Sequence, residues 1–494
     1  MKTKLKIYQT IYVLFIFSFT SAYQVKSQEI PSKLYMAIEL NDVICGYSEI
    51  TLLDTLIDGN KLVTLCQNTF TNYFALGKDI TQYLKFNYTI DPKTGNFIYH
   101  DSYQKQGTME LDAAVFVREN TLRIISSNED EKIVPIPHDK VILPNTLFFK
   151  YLLDDFNTNN LKEKTYQVYG FKTGNFSQIS YTKVEEKEVE LGNAKYLALI
   201  FEESNPNTGL KTKLWIDKNT GIRLKMEYPN QMSIYLTDRS VKTKIKTGNW
   251  DEVFFVKTNV SIEDIHQISY MKVKGRLDAY PVVKIKDLNV PGQIFSGSIE
   301  GDKIAGVFEI SHNNFSGKDA PAFPFDIHHY NFPEIYLQKE DLIEAEDPSI
   351  ISAAKKITEG YDNLWEACCK LSEWVADNVD GSILDGSALD TFKSKKGLCG
   401  AQSRLMAALC RSVGIPARVV WGFLYTPEYG GSFGHHAWNE IFMGEAGWIP
   451  VDVTIHETDY VNSGHIRLGI LHTHQTIINF EEMETIEFEL KNSQ

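Results

Sequence analysis

The sequence predicts an α+β chain in which antiparallel β-rich domains precede a C-terminal unit of helices and hairpin strands. Three observations carry that prediction. From about Pro31 to Tyr235, short alternating runs are broken by glycine-containing turns. Near Glu340 the apolar period lengthens to that of helices. Beyond it, Cys399 stands among small residues at the start of a helical run, and strands bearing His436 and Asp452 follow.

The chain begins with Lys2, Lys4 and Lys6, then the apolar stretch Ile11 to Ala22, then polar residues. That order predicts a secretory signal peptide over residues 1–27, cleaved after Ala22 or after Ser27, and an exported protein, periplasmic or secreted. No later stretch reaches membrane-spanning length, so no integral membrane segment is expected in the mature chain. At 494 residues the chain needs several domains. Its formal net charge of −14 argues against nucleic acid as a partner and against an anionic membrane surface. Six cysteines, with no CxxC spacing, do not form a disulfide framework or a zinc motif.

Residues 28–239 read as a β-rich domain. Hairpins are predicted around Asp58-Gly59, Thr94-Gly95 and Thr220-Gly221. The hairpin WIDKNTGIRLK (215–225) resembles those of periplasmic half-barrel folds, so a curved sheet is the expected form. Leu143 to Asp155 is expected to lie as one helix against it. A second β-rich region spans 240–338, with a turn at Glu300-Gly301-Asp302. The final unit, 339–494, opens with Asp347-Pro348-Ser349, a helix start, and Gly360 ends that helix. The run LWEACCKLSEWVADNV then places Leu364, Ala367, Cys368, Leu371, Trp374 and Val375 on one face. GSALDTFKSKKG reads as a connector. Arg467 to His472 and Thr485 to Leu490 are expected to supply closing strands of the catalytic sheet.

The chemistry is expected at the next segment. Gly397 and Gly400 bracket Leu398-Cys399, a helical pattern runs from Ala401 to Val413, and Gly414-Ile415-Pro416 stops it. A thiol at a helix N-terminus meets unpaired N–H groups and the positive end of the dipole, which favour thiolate. Gly434 to Phe442 reads as a strand, a turn follows at 443–447, and the chain returns over Trp448 to Val453. A turn centred on 444 sets His436 opposite Asp452. Centred on 445, it sets His436 opposite Thr454 but keeps His436 and Asp452 on one face, whereas a half-integer centre would put them on opposite faces and remove the interaction. Cys399, His436 and Asp452 are therefore the candidate nucleophile, base and orienting carboxylate. His435 points to the other face. Trp438, Glu440, Tyr425 and Tyr429 are the candidate substrate-binding residues, and Arg418 is expected to pair with an acid at the core edge.

The ordered motifs GLCG, ALCRSVGIPARVVWG, HAWNE and GWIPVDVT resemble the transglutaminase-like superfamily, a papain-related group of thiol enzymes. The resemblance covers roughly residues 341–480. It implies a Cys-His-Asp triad at positions 399, 436 and 452 and acyl transfer at peptide-like amides, with a protein or peptide as substrate and no cofactor. Hydrolysis is the expected outcome and transamidation the other. A non-catalytic binding or scaffold protein, using this domain beside ligand-binding β domains, is the alternative. No metal site is expected: His456, His465, His472 and His474, and the pair His328-His329, lack a zinc-ligand spacing.

Overall fold

The computed structural model describes residues 30–491, except 58, 108, 127–130, 139–140, 160, 172–173, 206–209, 313, 331, 382–385 and 472–475. The expected leader over 1–27 lies outside them. Alternation along the N-terminal strands produces long hairpins: Val43–Ile57 pairs with Asn60–Ala75, and that strand with Lys78–Ile90. Successive antiparallel neighbours run from Lys33–Leu40 to Lys132–Pro135, and a second such run goes from Glu163–Gly170 to Met232–Thr237. Lys33–Leu40 pairs with Met232–Thr237 and so joins the two runs into one sheet, of sixteen strands among the described residues.

One core takes residues from both arms of this sheet. Leu34, Met36, Leu65, Tyr88 and Leu122 meet Tyr169, Ala198 and Leu224 around Leu143 and Leu147, so the sheet curls over that segment. On the opposite face of the second arm, the helix Lys150–Thr158 buries Leu152 and Phe156 against Leu199, Phe201, Leu214 and Ile216. Burial on both faces explains the unbroken apolar run Tyr196 to Phe201. The helix starts later than its composition suggests. Asn145 accepts from the Leu147 and Phe148 amides at 3.0 and 2.7 Å, and this local turn displaces helix over 143–149.

The second β-rich region is completed by the end of the chain. Ile268–Tyr280, Gln293–Glu300 and Lys303–Ile310 form a four-stranded sheet whose last member is Ile477–Leu490. Thr485 to Leu490 therefore does not close the catalytic sheet, as its position in the sequence suggested. Its inward residues, such as Met483, join the core of the β-rich region, while glutamates such as Glu482 and Glu484 point to water. This sheet packs on the catalytic one through Met271, Val273 and Phe308 against Trp421, Phe423 and Leu468.

The sheet that carries His436 orders Phe255–Lys257, Ser432–Phe442, Ala417–Thr426 and His465–Ile470, with Trp448–Val451 added to Ser432–Phe442. Helices cover it. Asp347 caps Pro348–Ile357 through the Ser349 and Ile350 amides, and Asn363 caps Leu364–Asn378 likewise. The expected connector holds a further helix, Ala388–Ser394, started by a Ser387/Asp390 capping box. Cys399–Ser412 lies between these helices and the sheet, with Leu405, Met406 and Leu409 packed against Ile350, Leu371, Val419 and Ile441. The class is α+β, with the β-rich regions first. Among the described residues, no helix is long and apolar enough to cross a membrane.

Candidate active site

Cys399 is the first residue of its helix, preceded by Leu398 in extended conformation with no side-chain cap. The sulfur thus lies at the positive end of the helix dipole. Its approach loop is tight. A Cβ on Gly397 would come within 2.8 Å of the Ala401 Cβ, and Gln402 Nε2 donates to the Gly397 carbonyl at 3.1 Å. Two bonds fix this helix against the strand that carries the histidine. Ser403 Oγ donates to the Ala437 carbonyl at 3.2 Å, and Asn439 Nδ2 donates to the Ser403 carbonyl at 2.9 Å.

The hairpin register pairs Asn439 with Val451 and Phe442 with Trp448, so the turn is centred on residue 445. Asp452 consequently lies diagonally across from His436 and on its face. His436 Nε2 is 2.6 Å from Asp452 Oδ2, which leaves Nδ1 for the thiol. Cys399 and His436 line the same cavity. Asp452 Oδ1 accepts from the Thr454 amide at 2.9 Å.

Burial alone would push the Cys399 thiol up, but the hydrogen bond and charge of His436, with the Ala437 amide, hold it below its ordinary value. Burial would lower His436; the Asp452 carboxylate and the sulfur outweigh it and raise the imidazole to about 10. Asp452 is held well below the carboxylate range by His436 and His465, against its own burial. Both directions favour a thiolate beside an imidazolium. Cys399 is half-buried and opens, with His436, onto a cavity of about 450 Å³.

Residues 351–453 match the family described as the transglutaminase-like superfamily. The C-terminal region is a transglutaminase-like domain. A curated relative, the uncharacterised protein YebA of Bacillus subtilis (strain 168), is 28% identical over 147 residues, covering 25% of this chain. The chain spans 19% of that relative's length. Among solved structures, a candidate cysteine protease from Cytophaga hutchinsonii overlaps at a TM-score of 0.33 and 15% identity, covering 48% of this chain and 91% of its own. A candidate protease from Parabacteroides distasonis ATCC 8503 gives 0.19 and 8% identity, covering 72% of this chain and 67% of its own.

Within the transglutaminase-like domain, the four expected substrate contacts have these surroundings. Trp438 is buried, stacked 6.0 Å from His436 and edge-on to His465 at 5.1 Å, and so shields the imidazoles. Glu440 is buried between two arginines: Arg418 Nε donates to it at 2.6 Å and Arg467 Nε at 2.8 Å. Tyr425 is fully buried, its Oη accepting from the Ile262 amide at 2.6 Å. Tyr429 is exposed but donates to Asp251. None of the four lines the cavity. Trp438 and Glu440 share the parity of His436, and parity places them on the covered face of the hairpin.

His435 faces away from Asp452, against Thr476 Oγ1 at 2.8 Å, and burial lowers it to about 4.

The residue that sequence reasoning missed is His465, grouped there with the histidines that lack a zinc-ligand spacing. It is buried, its Nε2 is 2.9 Å from Asp452 Oδ2, and its Nδ1 is 3.0 Å from the Asn462 carbonyl. Nothing around it in the sequence marks it, because its place follows from the pairing of separate strands. The donor atoms of His436, Asp452 and His465 gather within 4.8 Å. The two contacts to Asp452, at 2.6 and 2.9 Å, are hydrogen-bond lengths. Ligands around a tetrahedral zinc with bonds of about 2.0 Å stand roughly 3.3 Å apart, so the set is arranged as a hydrogen-bonded one. Of the other histidines, His456 and His329 are exposed beside Asp377 and Asp326, while His472 and His474 lie outside the described residues.

Proposed function

We propose that the chain is an exported thiol enzyme that cleaves peptide-like amides through a thioester on Cys399. What supports this reading is the His436–Asp452 pair, with His436 lining the same cavity as Cys399 at its helix N-terminus. The leader pattern in the first residues supports export, and the transglutaminase-like domain supports acyl transfer.

In the reaction, the Cys399 thiolate attacks the amide carbonyl, and the helix N-terminus faces the oxygen as it gains charge. His436, protonated at Nδ1, gives that proton to the departing amine as the C–N bond breaks. The acyl group remains on sulfur as a thioester. His436, now neutral, takes a proton from water as it attacks, and the carboxylic acid leaves with the thiolate restored. Asp452 holds the ring through Nε2 and balances its charge throughout. A primary amine in place of water would give a new amide. The open cleft favours hydrolysis, because water at bulk concentration reaches the thioester.

Rapid mixing with a peptide library, followed by intact-mass measurement, tests this. A transient acyl adduct on Cys399 and a free-acid product are expected. A product carrying an added primary amine in preference to water would reassign the outcome to transfer. The absence of any adduct throughout the library would overturn the enzymatic reading.

A further inference from the structure

The wall of the cavity opposite the transglutaminase-like domain comes from the β-rich regions. Tyr73, Ala75 and Leu76 close one end of a strand of the large sheet, and Trp250, Phe254 and Phe255 follow on the segment that leaves it. Trp250 stacks on Phe254 at 5.2 Å and meets Tyr73 edge-on at 6.4 Å. Phe255 lies against Gly434, two residues before His436, where a Cβ would come within 2.2 Å of its ring. Asp251, buried beneath this wall, fixes it from three sides. It accepts from the Leu76 amide at 2.7 Å, from the Gly77 amide at 3.4 Å, and from the Tyr429 hydroxyl. The domain side adds Leu398, Leu424 and Ile455.

Among the described residues, no aspartate, glutamate, lysine or arginine lines this cavity. Leu76 and Phe254 nevertheless stay 49% and 38% exposed at its rim, so apolar surface beside the thiol is left in water until something covers it. We infer that the cavity is a specificity pocket for an apolar side chain, aliphatic or aromatic, on the acyl side of the scissile amide, and that the β-rich regions select it. This rests on the thioester reading above. The acyl side is the one seated here because the acyl group is the part that becomes bonded to Cys399, a lining residue. A charged side chain in the same place would lose its water, and the two groups of the lining read here as charged, Cys399 and His436, already offset each other.

Chloromethyl ketones built on acylated leucine, phenylalanine, aspartate and lysine place the side chain on the acyl side while the thiolate displaces chloride. Each inactivation rate is divided by the iodoacetamide rate of the same protein, which reads thiol activation alone. The leucine and phenylalanine reagents are expected to react about 10- to 100-fold faster than the charged ones, the range one apolar contact supplies. Phe254→Asp and Leu76→Asn, both at the exposed rim, are expected to shrink that ratio. Leu76 has φ of +51°, a conformation asparagine accepts readily. Equal rates for charged and apolar reagents, or a preference that both variants leave intact, would overturn the pocket. Slow iodoacetamide labelling of wild-type Cys399 would instead count against the thioester reading.

Discussion

Cys399→Ala is expected to reduce amide turnover by on the order of 10⁶-fold, and His436→Ala by a similar amount. The reason is that neither group works alone. The thiol is held low by the imidazole and the imidazole high by the carboxylate and sulfur, so losing either removes the ion pair. The double variant should be no worse than the single ones, which separates a shared machine from two independent contributions. Asp452→Asn keeps the volume but offers His436 a different partner, and a loss of roughly 10⁴-fold is expected. His465 acts through Asp452 as a positioning residue. His465→Leu removes a hydrogen bond to a carboxylate, worth about 1.5–3 kcal/mol, so kcat should fall by about ten- to a hundredfold with KM held. Steady-state kinetics on one peptide substrate checks all four; equal activity of Cys399→Ala and wild type would refute the set.

Glu440→Ala should destabilise the transglutaminase-like domain by about 3–5 kcal/mol. Its carboxylate lies between Arg418 and Arg467, at 2.6 and 2.8 Å, with little of any of the three side chains reaching water. Arg467 is further held by the Asp287 carbonyl at 2.7 Å, and the Arg418 guanidinium lies 4.0 Å from the Trp448 ring centre. Neither arginine can swing out to solvent without breaking these contacts. Removing the acid leaves two like charges buried together. Thermal unfolding should show a midpoint lower by on the order of 10 °C. An unchanged midpoint would show that the arginines find other partners. Because Glu440 shares the face of His436, turnover should fall in step with stability, with no separate effect on KM.

The parts of this molecule that were legible in the sequence are those set by neighbours along the chain. Asp347-Pro348 and Asn363 announce helix starts through their own side chains. The alternation 436, 438, 440 fixes a face before any partner is known, and either whole-number turn centre keeps His436 and Asp452 together. What the chain hides depends on partners far away in sequence. Gln402, Arg404 and Arg411 are polar positions spread around their helix, yet all three are buried. Their donors reach the carbonyls of Gly397, Gly386 and Ala417, and Arg411 also reaches that of Gln338. His465 becomes part of the site only once Ala417–Thr426 pairs with His465–Ile470. Ile477–Leu490 returns to a sheet begun two hundred residues earlier, as its pairing with Ile268–Tyr280 shows. The cavity wall at Tyr73, Leu76 and Phe254 joins segments that no local pattern connects.

The most direct measurement is the rate of iodoacetamide alkylation at each cysteine against pH, resolved by mass spectrometry, in wild type and in His436→Ala. Cys399 should gain its reactive form at a pH below the ordinary thiol value of 9.0 and lose it only as acid protonates the sulfur. Cys45 and Cys369, pushed up by burial to about 11 and about 12, should stay slow through neutral pH and serve as internal references. In His436→Ala the burial of Cys399 remains while its counter-charge is gone, so the inflection should move upward. A wild-type inflection at or above 9.0, or one that His436→Ala leaves in place, would contradict the pairing of sulfur and imidazole on which the account depends.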